Sequence, residues 1–401
     1  MNSSNPEMNL TETLLDSPQP LSDDTPLSPP LISRLITLAL LLGVGTRVLR
    51  YLLRFPLWGD ECMLAENFIT RTPLGLLQPL DNGQVAPIGF TETLWCMTRL
   101  FGFNEWSLRF VSLAAGVAAL FAMRCFALRA LSPLSALFAI ALLASSYYPI
   151  RHAAEVKPYA LDLFWCIGLL ALADTCRRNP GKIRPLVLLA LVTPLAQFTS
   201  FTATFVAGGI CIGLATQALL RKSSSQLLAA VIYGLVLTAA FALLFFLNAS
   251  SQFSVHAGHM QHYWQNSFPP SPFNQPFQWL IWMLETHTGL MFAYPLGSQS
   301  GGSTLTFILV IVGVLRLRQH RDWWFLSTTL GIFGLSYLAG TLHRYPYGDT
   351  TRLVQHLAPL ICILAGSGIA SLIETANAIR WQQTLAKAAF TAMCLIIVGS
   401  S

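Results

Sequence analysis

From Leu31 to its last residue the chain is a succession of apolar runs, each ended by a short polar or basic stretch. The runs lie near 32–52, 107–128, 132–150, 159–176, 184–200, 202–220, 227–248, 303–317, 323–342, 353–373 and 383–401. Most match the roughly 17–25 residues a helix needs to cross the hydrocarbon layer of a bilayer. The eighth is short, and the fifth and sixth are divided only by the mildly polar "AQFTSFTATF". The last run reaches the end of the chain, as a truncated span would. Charged residues make up 10% of the chain, against about 25% in soluble proteins. A water-soluble fold could not hide this much apolar surface. The expected fold is therefore an all-α polytopic membrane protein with about eleven transmembrane helices.

Residues 1–30 are polar, acidic and rich in Pro and Ser, and are expected to form a disordered cytoplasmic tail. The apolar run follows this tail instead of opening the chain, so it reads as an uncleaved signal anchor. Residues 31–401 form the membrane domain. Of the eight cysteines, Cys125, Cys166, Cys176, Cys211, Cys362 and Cys394 fall in or beside apolar runs and read as small core residues. Cys62 and Cys96 share one loop, and spacing alone leaves their pairing open.

Orientation follows from the bias of Lys and Arg toward cytoplasmic loops. With the N-terminus inside, the inner side collects Arg34, Arg124, Arg129, "RRNPGKIR" (177–184), Arg221, Lys222, "RLRQHR" (316–321), Arg380 and Lys387, more than half of the 24 basic residues. The outer loops are then 54–106, 151–159, 249–302 and 343–352, and polar chemistry is concentrated there. The net charge of +6 is explained by topology and does not call for nucleic acid. No internal repeat is visible, and the spans are nearly bare of charge; both weigh against a transporter.

The first outer loop opens with "FPLWGDECMLAENFITR" (55–71), where Asp60 and Glu61 stand side by side. Acids at a helix start favour the helix dipole, and that alone could place them. At a water–lipid boundary a carboxylate could also meet a lipid-linked substrate. Met63, Leu64, Phe68 and Ile69, and the pattern of 87–103, predict amphipathic helices lying in the interface. In "YYPIRHAAEVKPYALD" (147–162), Arg151 and Glu155 are spaced to pair on one helical face. Lys157 precedes Pro158, a residue suited to a helix start. Arg151 and Lys157 beside a membrane opening are a candidate phosphate site, although interfacial snorkelling would explain them too. Asp162, one turn into the next span, is costly there and thus a functional candidate, or a paired structural acid. "HRYPYGDTTR" (343–352) contributes Arg344, Asp349 and Arg352. His256, His259 and His262 step by three along 249–302 and could bind zinc, but acid partners for a hard metal are lacking nearby. That loop reads better as an aromatic, polar acceptor-binding segment.

The Asp60–Glu61 pair after the first span, "EWSLRFVSLAAG" (105–116), "AAEVKPYAL" (153–161) and "YPYGDTTRLVQHLAP" (345–359) together resemble the bacterial branch of the C-type membrane glycosyltransferases. This branch includes relatives of protein O-mannosyltransferases and of the enzyme that adds aminoarabinose to lipid A. The resemblance runs over most of 32–375 and leaves out the tail and the loop 249–302. It implies transfer of a sugar, with inversion, from a polyprenyl phosphate carrier to an acceptor outside the cytoplasm. The acceptor could be lipid, glycan or protein, because the family's aromatic acceptor motifs are not recognisable. The resemblance implies Asp60 as the base and matches Glu61 to the second acid of the pair.

The chemistry is consistent with this. A carboxylate can take the acceptor's proton, and a phosphate leaving group needs cations, for which Lys157, Arg151, Arg352 and Arg344 are candidates. Glu155, Tyr159, Asp162 and Asp349 are further site candidates. Neither a cofactor nor a metal is expected. The expected partners are the polyprenyl-phosphate sugar, the acceptor and membrane lipids, in the inner (plasma) membrane with the active site facing outward. The alternatives are an oligosaccharide ligase or oligosaccharyltransferase, and a lipid or glycolipid flippase without transferase activity.

Overall fold

A computed structural model describes residues 26–297, 302–376 and 379–400, with the side chains of 254–257, 259, 260 and 400 outside that description. Most of the expected tail, 1–25, and the side chains of His256 and His259 therefore lie outside the described residues. The fold begins earlier than expected. Leu27 is buried, and helix α1 (Pro29–Leu52) starts with proline in its first turn, where the missing N–H costs nothing.

Two helices follow in the loop after α1: α2 (Gly59–Thr70) and α3 (Ile88–Phe101). They lead to α4 (Glu105–Ala130), α5 (Pro133–Ser145), α6 (Tyr147–His152) and α7 (Tyr159–Arg178). Next come α8 (Ile183–Thr199), α9 (Ala203–Leu220) and α10 (Ser224–Leu244), which continues through a π-helical turn (Phe245–Ala249) into α11 (Ser250–Tyr263). The remainder is α12 (Pro276–Thr288), α13 (Gly302–Gln319), α14 (Trp323–Thr341), α15 (Ala358–Glu374) and α16 (Ile379–Ser400). No strand occurs among the described residues.

Among the described residues each apolar run contains helix, and eight helical segments are long and apolar enough to cross a membrane. The protein is an all-α, multi-pass membrane protein. The run 132–150 is not one span: α5 has 13 residues, about 20 Å of helix. Every residue from Leu134 to Ser145 is buried, because α5 is enclosed by α1, α4, α15 and α16. A helix that is apolar all round belongs in such a core. Gly366 of α15 permits the close approach, since a Cβ there would lie 2.5 Å from the backbone nitrogen of Ala139. The weakly marked boundary between α8 and α9 is real: the Ser200 hydroxyl accepts from the Ala203 N–H and stops one helix at the start of the next.

The segment between α1 and α4 has a core of its own, in which Leu64 and Phe68 of α2 pack with Leu76, Phe90, Leu94 and Val156. Met63 and Ile69, expected on the same face, are exposed. Adjacent helical residues diverge by about 100°, so only one member of each pair faces α3 and α4. The spans also hold more charge than expected. Arg47, near the end of α1, is fully buried and donates to the carbonyls of Gly43, Leu143 and Ala144. The last two are terminal carbonyls of α5, which a cation caps well.

Candidate active site

Glu61 and Asp60 occupy the first turn of α2 and face different partners. Glu61 is buried. Its Oε1 accepts from Arg109 Nε at 3.1 Å and from the Val156 N–H at 2.7 Å. Its Oε2 accepts from Arg109 Nη2 at 2.7 Å and from the Trp58 N–H at 3.2 Å. Arg109 also donates to the Phe55 carbonyl at 2.6 Å. One ion pair therefore ties the end of α1's outer segment, the start of α2, α4 and the 153–158 turn together. Arg109 was overlooked in the sequence, although an arginine one turn into an apolar run is itself a signal.

Asp60 is partly exposed, and its Oδ2 accepts from Arg352 Nη1 at 3.0 Å. Arg352 lies in the irregular segment between α14 and α15. Its guanidinium sits 4.7 Å from the Trp264 ring and 5.9 Å from that of Trp58. Lys157 is buried beside this pair and donates to Gln84 Oε1 at 2.6 Å. Burial pulls its ammonium down to about 8, aided by the charge of Arg352 and opposed by Asp60, Glu155 and Glu61. Three chain segments, 58–61, 84–109 and 153–158, thus converge with 352 on one polar site.

Arg151 and Glu155 pair at 2.6 Å, and the other Glu155 oxygen meets His152 Nδ1 at 2.8 Å. Burial raises the Glu155 carboxyl, but His152 and Arg151 outweigh it and hold the group at about 2. The His152 ring packs edge-on to Tyr159 at 4.9 Å, while its buried Nε2 has no hydrogen-bond partner among the described residues. Asp162 is buried and accepts from Ser200 Oγ at 2.5 Å. Asp349 is not paired with Asp60: burial raises its carboxyl, and the nearby Ser267 side chain opposes that shift. Arg344 lines a separate feature, described next. Gln84, His152 and Trp264 carry no sequence pattern that would have marked them.

A cleft of about 840 Å³ opens between α9, α10, α11 and α14. Its walls are apolar, with Phe201, Phe205, Leu237, Phe241 and Phe245 prominent, and Arg344 and Trp264 stand on its lining. Trp264 joins the two features, since it lines the cleft and stacks on Arg352. An apolar groove with an arginine on its lining suits an amphiphile with an anionic head. All eight cysteines are free, so Cys62 and Cys96 do not pair.

No family model matches the chain, and no curated protein does. Solved structures match across nearly its whole length. The oligosaccharyltransferase of Archaeoglobus fulgidus, in complex with Zn and sulfate, superposes with a TM-score of 0.57 at 11% identity, covering 91% of this chain and 52% of that one. ArnT from Cupriavidus metallidurans in the apo state gives 0.54 at 12% identity, covering 92% and 75%. The same protein bound to undecaprenyl phosphate gives 0.52 at 12% identity, covering 93% and 76%. This chain therefore has the fold of the C-type membrane glycosyltransferases, as the sequence motifs led one to expect. It spans about half the length of the archaeal oligosaccharyltransferase.

One of these neighbours holds zinc. The surroundings of Asp60 here do not fit a divalent cation. Its neighbours are the cations of Arg352 and Lys157, and Glu61 is saturated by Arg109 and backbone N–H groups. Among the described residues no three His, Cys, Asp or Glu side chains converge.

Proposed function

We propose that the protein is a membrane glycosyltransferase that moves a sugar from a polyprenyl phosphate donor to an acceptor outside the cytoplasm, with inversion. The observation that carries this reading is a polar site that Trp264 joins to the apolar cleft. There a partly exposed carboxylate, Asp60, lies beside two cations, Arg352 and Lys157.

In this reading the prenyl chain lies in the cleft and the phosphate meets Lys157 and Arg352. The acceptor hydroxyl attacks the anomeric carbon from the face opposite the phosphate. Asp60 takes the hydroxyl proton as the new carbon–oxygen bond forms. The carbon–oxygen bond to phosphate breaks, and its electron pair leaves with the polyprenyl phosphate. The two cations stabilise that leaving anion, so no general acid is needed, unlike the paired carboxylates of a glycosidase. A positioned base contributes about 10²–10⁴-fold. Glu61, already saturated, holds the site's walls in register. The Arg151–Glu155 pair stands two residues before Lys157, Tyr159 is buried two residues after it, and Arg344 lies along the lipid path. The basic loops on the opposite face support an outward-facing site in the plasma membrane.

The test uses purified protein and a labelled polyprenyl phosphate sugar. Release of polyprenyl phosphate together with a glycosylated acceptor is expected. A flippase would leave the donor intact, and that result would overturn the proposal.

A further inference from the structure

We propose that Arg352 masks the Asp60 carboxylate until a donor phosphate draws it away, and that Trp264 is the positioning residue that steers it. This rests on the function proposed above and concerns the regulation of the same site.

Two ion pairs at this site differ in kind. Glu61–Arg109 is a bidentate clamp with side-chain exposures of 1% and 4%. Asp60–Arg352 is a single contact with exposures of 33% and 19%. Exposed single contacts of this kind are weak and readily exchanged. While it lasts, the Oδ2 of Asp60 is occupied by a guanidinium and is not open to an acceptor hydroxyl. The same guanidinium is the group that a phosphate requires. The donor phosphate is a diester with one negative charge, as Asp60 has, but both of its non-bridging oxygens can meet the guanidinium fork, where Asp60 offers one. A donor phosphate arriving along the cleft therefore competes directly with Asp60.

Trp264 makes the exchange directional. Its ring lines the cleft and lies 4.7 Å from the Arg352 guanidinium, closer than Trp58 at 5.9 Å. A guanidinium over an aromatic face keeps its stabilisation as it slides, so Arg352 can turn from Asp60 toward the cleft without being left unsupported. Lys157 does not share this masking role, because its ammonium is held by Gln84. The base becomes free only after the phosphate has docked, so donor binds before acceptor.

The experiment uses full-length protein in nanodiscs with a short-chain polyprenyl phosphate lacking sugar. Two quantities are read: binding of this probe, and the rate of carbodiimide coupling at Asp60 by mass spectrometry. In the wild type the probe is expected to bind and to raise coupling several-fold. In Arg352→Ala coupling is expected to be fast without the probe and indifferent to it. Trp264→Ala is expected to bind the probe about tenfold more weakly, with Trp264→Phe restoring most of the loss. If the probe binds but coupling at Asp60 stays the same or slows, the masking proposal is wrong while the donor assignment stands. Wild-type affinity in Trp264→Ala would likewise remove Trp264 from its role. If the probe does not bind at all, the donor assignment itself fails, and the masking proposal with it.

Discussion

Arg109 and Glu61, 48 residues apart, meet in a buried bidentate pair that fixes where α2 begins. That pair separates the two adjacent acids into different roles: Glu61 is committed to the architecture, and Asp60 is left facing the open site. Four measurements follow from this division.

The first concerns the acids. Asp60→Asn keeps the side chain's size and should leave folding unchanged while transfer falls by about 10² or more. Glu61→Gln should act differently. It leaves the Arg109 charge buried without its counter-ion, and breaking such a pair costs about 3–5 kcal/mol. Thermal unfolding and transfer are measured on both variants in the same detergent. A Glu61→Gln protein with wild-type stability and no transfer would instead put Glu61 in the chemistry.

Lys157 gives a pH dependence. Its ammonium is charged at pH 7 and loses its proton as pH rises through about 8. Donor kcat/KM in the free protein should therefore fall about tenfold per pH unit above that point. Stability should move the other way. Between about 8 and the ordinary lysine value of 10.5, the folded protein binds fewer protons than the unfolded chain, so folding is favoured as pH rises through that window. A falling limb in activity without a fall in stability separates loss of charge from unfolding. Lys157→Arg should move the falling limb above pH 10, and an unmoved limb would clear Lys157 of the assignment.

Gly348 tests the turn that carries Arg352. Its φ is +95°, and a Cβ there would lie 2.3 Å from Thr286 Cγ2. Gly348→Ala should cost on the order of 1–2 kcal/mol from the backbone alone, with more from the clash against α12. The displaced turn should raise the donor KM. Gly168→Ala is the control, because a Cβ there meets nothing within 4 Å. Equal behaviour of the two variants would show that the turn does not set the position of Arg352.

Topology supplies the last. Asp60, Lys157 and Arg352 lie within one site, so the loops that bear them must share a membrane side. Cysteines introduced in 54–106, 151–159 and 343–352 should label from outside the cell, and cysteines at Asn179 and Gln319 should not. External labelling at either inner position would break the arrangement.

The helices themselves were legible in the sequence, because in a bilayer the backbone must satisfy its own hydrogen bonds and apolar length translates directly into helix. That Asp60, Lys157 and Arg352 stand near the ends of apolar runs was legible for a related reason: charge is costly in the hydrocarbon and gathers where the runs end. What composition could not convey is which helix faces lipid. The run of α5 looks like any span, yet tertiary packing encloses it on all sides. Nor could spacing along the chain assign partners. Arg151 and Glu155 are four residues apart and pair as their spacing suggests. Arg109 finds Glu61, and Arg352 finds Asp60 across 292 residues, only because α4 and the segment before α15 are brought against α2. Adjacent side chains on a helix point about 100° apart. The choice of Glu61 for the buried clamp and Asp60 for the open site was therefore made by what the fold placed on each side of α2.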